Sequence, residues 1–128
     1  MALPIDPLDH FGTGIATPFR IGASGIQTAS GVEKVLMCVA QTIGTSTAKL
    51  PWRCKFGTRI PRLRHMNNSN GLQTLARVDI GDALRLWEPR VRLSKVLAAP
   101  RSDANRNILD LTVSVTVDGK PQTVRQSI

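Results

Sequence analysis

The chain has 128 residues, of which 41% are hydrophobic and 20% charged, so it is expected to fold as one domain around a modest core. No apolar run approaches the ~20 residues of a membrane-spanning helix, and the opening MALPIDPLDHFGTG lacks the basic and apolar regions of a signal peptide. We therefore predict synthesis and assembly in the cytoplasm, with no membrane contact.

The charge is strongly and unevenly positive. The net charge is +8, and between Glu33 and Asp79 the chain contains basic residues but no acid. Such a run faces a polyanion, an acidic protein or water. With no Tyr, three Phe and two Trp, the aromatic platforms on which nucleic-acid bases stack are scarce. We favour an acidic protein partner, and a solvated face and a nucleic-acid-binding module stay open as alternatives. The predicted basic contact segment comprises Arg53, Lys55, Arg59, Arg62 and Arg64.

The N-terminal part is predicted to be an extended arm. Residues 1–28 are rich in glycine and proline and lack hydrophobic periodicity, whereas residues 29–128 are predicted to form a single domain. Its first helix begins at a capping box, in which Ser30 and Glu33 each satisfy a free backbone N–H, and it ends near Gly44. The apolar stripe of this helix consists of Val32, Val35, Leu36, Val39, Ala40 and Ile43.

The middle of the domain is the least regular stretch. KLPWRCKFGTRI is compatible with a short strand around Trp52 to Phe56 that ends at Gly57, and RHMNNSNG has the composition of a loop. A second helix follows, from about Leu72 to Trp87. Its predicted apolar face consists of Leu72, Ala76, Ile80, Ala83, Leu84 and Trp87.

The last third is predicted to be sheet. A strand begins at Val91, AAPRSDANRN reads as a polar loop, and strict alternation from Leu109 to Val117 predicts a strand with one buried face. Asp118-Gly119 is a strong signal for a two-residue hairpin turn, and Pro121 suits an edge strand because it cannot donate a ladder hydrogen bond. The turn sets the pairs Val117–Lys120, Val113–Val124 and Leu109–Ile128.

These elements predict an α+β fold: two helices packed on a small, mostly antiparallel sheet, with a C-terminal β-hairpin and an extended N-terminal arm. Cys38 and Cys54 are expected to be free thiols, and with His10 and His65 isolated the chain lacks the ligand spacing of a metal site. We predict no metal and no cofactor.

The stretch RLWEPRVRLSKV, residues 85–96, carries a helix directly into a strand. Pro89 lacks an N–H and biases Glu88 away from helical angles, so the helix must end at Trp87 or Glu88. Trp87 is expected to anchor the helix to the sheet. Glu88 and Arg90 either brace the turn as a local ion pair or present a carboxylate and a guanidinium to a protein partner.

This order of features resembles the baseplate wedge family of contractile tails, the small gene-25-like or lysozyme-like (GPW-type) proteins of phage, type VI secretion and contractile injection system baseplates. The triplet Glu88-Pro89-Arg90 matches the hallmark of that family, and TPFR at 17–20, GIQTASGVEKV at 25–35 and the Phe-Gly pair at 56–57 agree with it. The resemblance covers about residues 15–128. The chain departs from the family at 48–50, where Ala-Lys-Leu replaces a Gly-Glu-Arg turn, and at Lys55, which replaces an acid.

The resemblance implies a structural baseplate component that links the wedge complex to the first sheath ring and promotes sheath assembly. Implied partners are other wedge proteins and sheath subunits, with the tube or spike hub as a further candidate, in a ring of six copies located in the baseplate of a phage tail or injection particle. The implied wedge-binding residues are Trp87, Glu88, Pro89 and Arg90. The sheet resembles the interlocking domain of the sheath, where arms of neighbouring subunits add strands, and the implied pairing residues are Gln122, Thr123, Val124, Arg125, Gln126, Ser127 and Ile128.

The lysozyme-like name suggests an enzyme, but the residues argue against catalysis. Glycoside hydrolysis generally uses two carboxylates that flank the bond, and the only glutamates are Glu33 in a helix cap and Glu88 at the corner. Asp79 and Asp82 lie three apart on a helix and are expected to be solvated. No Ser-His-Asp or Cys-His arrangement and no phosphate-binding glycine loop is visible. We predict no enzymatic activity, with a peptidoglycan hydrolase as the less favoured alternative.

Overall fold

The computed structural model describes residues 11–67 and 69–128, so the first ten residues of the predicted arm lie outside the described residues. The described chain confirms the α+β fold, in which two long helices pack on a three-stranded antiparallel sheet. The elements in chain order are β1 (Thr13–Ile15), β2 (Ile21–Gly22), β3 (Gly25–Ile26), β4 (Thr28–Ser30), α1 (Gly31–Gly44), α2 (Ile60–Leu63), α3 (Asn70–Trp87), β5 (Val91–Asp103), β6 (Arg106–Val117) and β7 (Lys120–Ser127).

Both long helices lie where the apolar periodicity predicts them, but their caps differ. Ser30 occupies the N-cap of α1, yet its side chain makes no capping hydrogen bond, so the predicted capping box is wrong in its chemistry. Helix α3 is capped instead by Ser69, whose hydroxyl accepts a hydrogen bond from Leu72 N at 3.2 Å. The short helix α2 was not predicted; it carries Pro61 in its first turn, where no N–H is needed.

The sheet has the order β5-β6-β7, and the predicted register of the last hairpin is confirmed. Asp118 (φ 50°) and Gly119 (φ 74°) both adopt positive φ, as a type I′ two-residue turn requires. The predicted polar loop at AAPRSDANRN is wrong, because Ala98 to Asp103 continue β5 and pair with β6 down to Asp103–Arg106. Most of the residues at this hairpin end are exposed, so the sequence carries no buried alternation there.

The core lies between the two helices and the inner face of the sheet. The alternation along β6 is confirmed, since its inward residues from Leu109 to Val117 are at most 2% exposed. Phe11 and Ile60 join them from outside the predicted elements. The other buried apolar residues of this core are Val35, Val39, Ile43, Leu72, Ala76, Ile80, Leu84, Val91, Val96, Ala98 and Val124.

The described part of the predicted arm folds back on itself. Strand β1 pairs with β4, and β2 pairs with β3 inside them, both antiparallel. Phe11 precedes this double hairpin and is 8% exposed, so the chain is fixed to the domain before β1 begins. The domain boundary at residue 28 stays a prediction.

The segment between α1 and α2 is built from turns, so the predicted strand around Trp52 to Phe56 is wrong. Its ends are nevertheless fixed. Thr58 is fully buried and donates its hydroxyl to Ile43 O at 2.8 Å, and its N–H donates to Thr45 O at 2.9 Å. Gly57 has φ 104°, and a Cβ there would lie 2.2 Å from Thr45 O, so only glycine allows this approach.

Candidate interaction surfaces

The helix-to-strand corner is braced from inside. Glu88 caps α3, donating its N–H to Leu84 O at 2.8 Å and accepting from Val91 N at 3.3 Å. Its side chain is buried, with the residue only 4% exposed, and its Oε1 accepts a hydrogen bond from Arg90 Nε. Glu88 therefore does not present its carboxylate to a partner; of the two alternatives left open by the sequence, its geometry favours the brace.

Arg90 ties the corner to the N-terminal part of the chain. Besides Glu88, its Nη1 donates to Phe11 O at 3.0 Å. The hydrogen bond that Arg90 donates to Glu88 raises the pKa of the Arg90 guanidinium, while partial burial opposes that rise. With 35% of its side chain exposed, Arg90 holds Glu88 and Phe11 together and still reaches the surface.

Trp87 does not anchor α3 to the sheet as predicted. It lies outside the buried core, and its ring meets Phe56 edge to face, with centroids 5.2 Å apart and an interplanar angle of 72°. The guanidinium carbon of Arg53 lies 5.6 Å from the centroid of the Trp87 ring. Trp87 at the corner therefore adjoins Arg53, the first residue of the basic contact segment, although the two are distant in sequence.

The basic contact segment is exposed throughout. All five of its predicted residues are exposed, and none forms an ion pair with the described residues. Beside Arg53 lies Trp52, which is 80% exposed. A largely exposed tryptophan among basic side chains that form no ion pairs is typical of a protein contact site. We call this surface the corner platform and define it as Trp52, Arg53, Lys55, Trp87, Pro89 and Arg90.

The outer edge of β7 is open. Leu109 and Ile128 exchange both N–H to C=O bonds, at 2.8 and 3.0 Å. Hydrogen-bonded pairs alternate with non-bonded pairs along an antiparallel ladder. In the observed register, the backbone groups of Thr123, Arg125 and Ser127 therefore point away from β6. No other described strand pairs with β7, so these three N–H groups face outward.

The opposite edge, along β5, is satisfied by a side chain at one position. The side-chain amide of Gln73 on α3 accepts from Ala98 N at 2.9 Å and donates to Ala98 O, which is the hydrogen bonding that a neighbouring strand would provide. Two residues on, Pro100 has no N–H to offer. Sequence reasoning missed Gln73, because a glutamine in the first turns of a helix carries no local signal of a contact 25 residues away.

The acidic residues are largely engaged in structural contacts. Asp79 accepts from Arg59 N at 2.6 Å, so it is not simply solvated as predicted, whereas Asp82 lies 3.9 Å from Arg85 on an exposed helix face. Within residues 11–67 and 69–128 no three His, Cys, Asp or Glu side chains cluster as metal ligands would. Cys38 and Cys54 are free. No helix in this part of the chain combines the length and apolar character needed to cross a bilayer.

These features define the class: a small α+β assembly module with a braced corner, an unpaired cationic segment and one open sheet edge. The chain belongs to the family described as baseplate wedge protein gp25, whose family model matches residues 29–122. It is therefore a structural component of a contractile-tail baseplate, as the resemblance implied. A comparison with curated protein sequences found no match.

Solved structures with this fold include two baseplates. A chain of the six-fold symmetrised anti-feeding prophage baseplate superposes with a TM-score of 0.72 at 21% identity, covering 86% of this chain and 88% of that chain. A chain of the post-contracted pyocin R2 baseplate gives 0.60 at 23% identity, covering 79% and 99%. A Geobacter sulfurreducens protein whose description proposes a tail lysozyme gives 0.65 at 24% identity, covering 78% and 91%.

Proposed function

We propose that this chain joins the baseplate wedge to the first ring of the contractile sheath, and that a sheath subunit docks by adding a strand to β7. The observation that carries the proposal is the inequality of the two sheet edges. On β5, Gln73 satisfies the backbone of Ala98 and Pro100 offers no donor. On β7, three N–H groups have no strand beside them, and each could contribute about 0.5–1.5 kcal/mol to an added strand.

An open edge of this kind readily pairs with a strand of another chain unless it is protected. Residues 122–128 contain a single charged residue, Arg125. The inward residue Val124 is held in the core, so β7 is a rigid template. Because the bonds are made by the backbone, the side chains of Thr123 and Ser127 should tolerate substitution.

The test is proline at an outward N–H. Thr123→Pro and Ser127→Pro each remove one edge donor while leaving the backbone bonds to β6 intact, although Ser127→Pro also removes the hydroxyl bond to Asp110. Thr123→Ala and Ser127→Ala are the matched controls. We expect baseplates that assemble but carry fewer and shorter sheaths with proline, and normal sheaths with alanine, counted by electron microscopy. Normal sheath growth from both proline variants would overturn the proposal.

The wedge side of the joint is assigned to the corner platform and the remaining arginines of the basic contact segment. Arg53 stacks on Trp87, so one partner surface can contact the corner and the Arg53 end of the segment together. Membership of a baseplate family favours an acidic protein surface over nucleic acid there. The tube or spike hub is a second candidate for this contact.

The copy number and the absence of catalysis are part of the same proposal. Six copies per ring would follow the symmetry reported for the anti-feeding prophage baseplate. Glu88 is engaged by Arg90 inside the corner, which leaves it unsuited to act as a catalytic acid. Synthesis in the cytoplasm accompanies this role. Release of soluble fragments from purified peptidoglycan by the purified chain would contradict the non-enzymatic part.

A further inference from the structure

We infer that the strand received by β7 carries a carboxylate opposite Arg125, and that Arg125 also keeps two copies of this chain from pairing edge to edge. This rests on the proposed addition of a strand to β7 and specifies the chemistry of its partner. Arg125 lies midway between Thr123 and Ser127, the other residues with outward backbone groups. A residue directly opposite it on an added strand would place its Cβ about 4.5–5.5 Å away.

The charge of Arg125 is not neutralised within the described chain. Arg125 is exposed and forms no ion pair there. Its cross-strand neighbour is Thr112, which is uncharged. The acid two residues further along β6, Asp110, is already bonded to Arg101 Nε at 3.3 Å and to Ser127 Oγ at 2.6 Å. A carboxylate on the incoming strand would neutralise the charge of Arg125.

The same residue opposes self-association. Two β7 edges can pair antiparallel, and the register that uses all three outward N–H groups is centred on Arg125. That register places Arg125 directly opposite Arg125 of the second copy, and like charges in this position are destabilising. Pro121, which lacks a donor, further weakens a register shifted toward the turn. A single cation therefore disfavours the wrong partner and favours an acidic one.

The test uses two labelled peptides with the sequence of residues 120–128, one native and one with Arg125→Glu, titrated against the full chain by fluorescence anisotropy. We expect the glutamate peptide to bind roughly 2- to 30-fold more tightly at low salt, with the ratio falling at high salt. On a full chain carrying Arg125→Glu, the preference should invert. A Thr123→Pro chain should weaken the binding of both peptides.

The outcomes of this titration distinguish charge selection by Arg125 from the addition of a strand to β7. Equal binding of the two peptides, with both sensitive to Thr123→Pro, would overturn charge selection and leave strand addition standing. Binding of neither peptide would overturn both. Self-association gives a second readout: by sedimentation velocity, an Arg125→Thr chain should dimerise more strongly than the unaltered chain, and equal association constants would refute the role of Arg125 against self-pairing.

Discussion

Replacing Arg90 with alanine should destabilise the domain itself, before any partner is considered. The substitution removes the donor to the buried Glu88 carboxylate and the bond to Phe11 O. Removing one member of a fully buried ion pair costs about 3–5 kcal/mol. Because the Arg90 side chain is 35% exposed, water can partly replace it, and we expect a loss of about 1.5–3 kcal/mol in the free energy of unfolding.

Urea titration and thermal unfolding of the purified chain measure this loss directly. At about 3–5 °C per kcal/mol for a chain of this size, the melting temperature should fall by about 5–15 °C. Arg92→Ala is the matched control: Arg92 is exposed on β5 and forms no ion pair with described residues, so it should change stability by less than about 0.5 kcal/mol.

Two further measurements test the role of Arg90: the pH dependence of the stability difference, and the stability of a double variant. Glu88 raises the pKa of Arg90 above its ordinary value, so the stabilisation is fully present below that value and is lost only at more alkaline pH. The difference between the unaltered and Arg90→Ala chains should therefore stay constant from about pH 6 to 10. Adding Glu88→Ala to Arg90→Ala should cost less than the sum of the two single substitutions. An Arg90→Ala chain as stable as the original that still fails to assemble would refute the brace and restore the corner as a purely external contact.

Three further outcomes are expected. Gly57→Ala should destabilise the domain by more than about 2 kcal/mol in urea titration, because a Cβ there collides with a backbone oxygen; a loss below about 0.5 kcal/mol would contradict that geometry. Charge reversal of Arg62 and Arg64 should weaken co-purification with wedge proteins more at low salt than at high salt, and an effect independent of salt would argue against an acidic partner. The amide of Ala16, which donates to Gln27 O at 2.9 Å, should be protected from hydrogen exchange, whereas a fast rate would contradict the pairing of β1 with β4 in the free protein.

The sequence predicted the elements whose signals are local. Alternation along β6 and the Asp118-Gly119 turn were sufficient to set the register of the last hairpin, which is confirmed down to the Leu109–Ile128 pair. Pro89 alone required α3 to end at the corner, and the helix ends at Trp87. These predictions succeeded because backbone geometry and one buried face decide them within a few residues.

The features that the sequence did not predict depend on distant partners or lack a buried face. The sequence predicts a loop at Ala98 and its neighbours because much of the far half of the β5–β6 hairpin is exposed to solvent. Such a segment has no alternation of buried and exposed residues. The Arg90 guanidinium that binds Glu88 also binds the backbone oxygen of Phe11, which lies 79 positions before Arg90 in the sequence. The Trp87 ring packs against Phe56 and not against the sheet. The hydrophobic periodicity of one helix cannot predict which of two neighbours a residue at the end of that helix contacts. At the candidate site, motif order proposed the corner residues, and only the fold distinguished the buried Glu88 from the exposed side chains around it.

The hydrogen bonds between Gln73 and Ala98 limit the number of strands that one copy of the protein can add to its sheet. A sheet whose two edges both accepted strands could be extended from either side, and copies of it could join into chains of indefinite length. With Ala98 satisfied by the protein's own helix and no donor at Pro100, strand addition is favoured at β7, so each copy would take up one strand. A ring of such copies would start as many sheath strands as it has members, all facing the same way. A glutamine far from any proposed contact would thus influence both the number of sheath strands that start on the ring and the direction in which they extend.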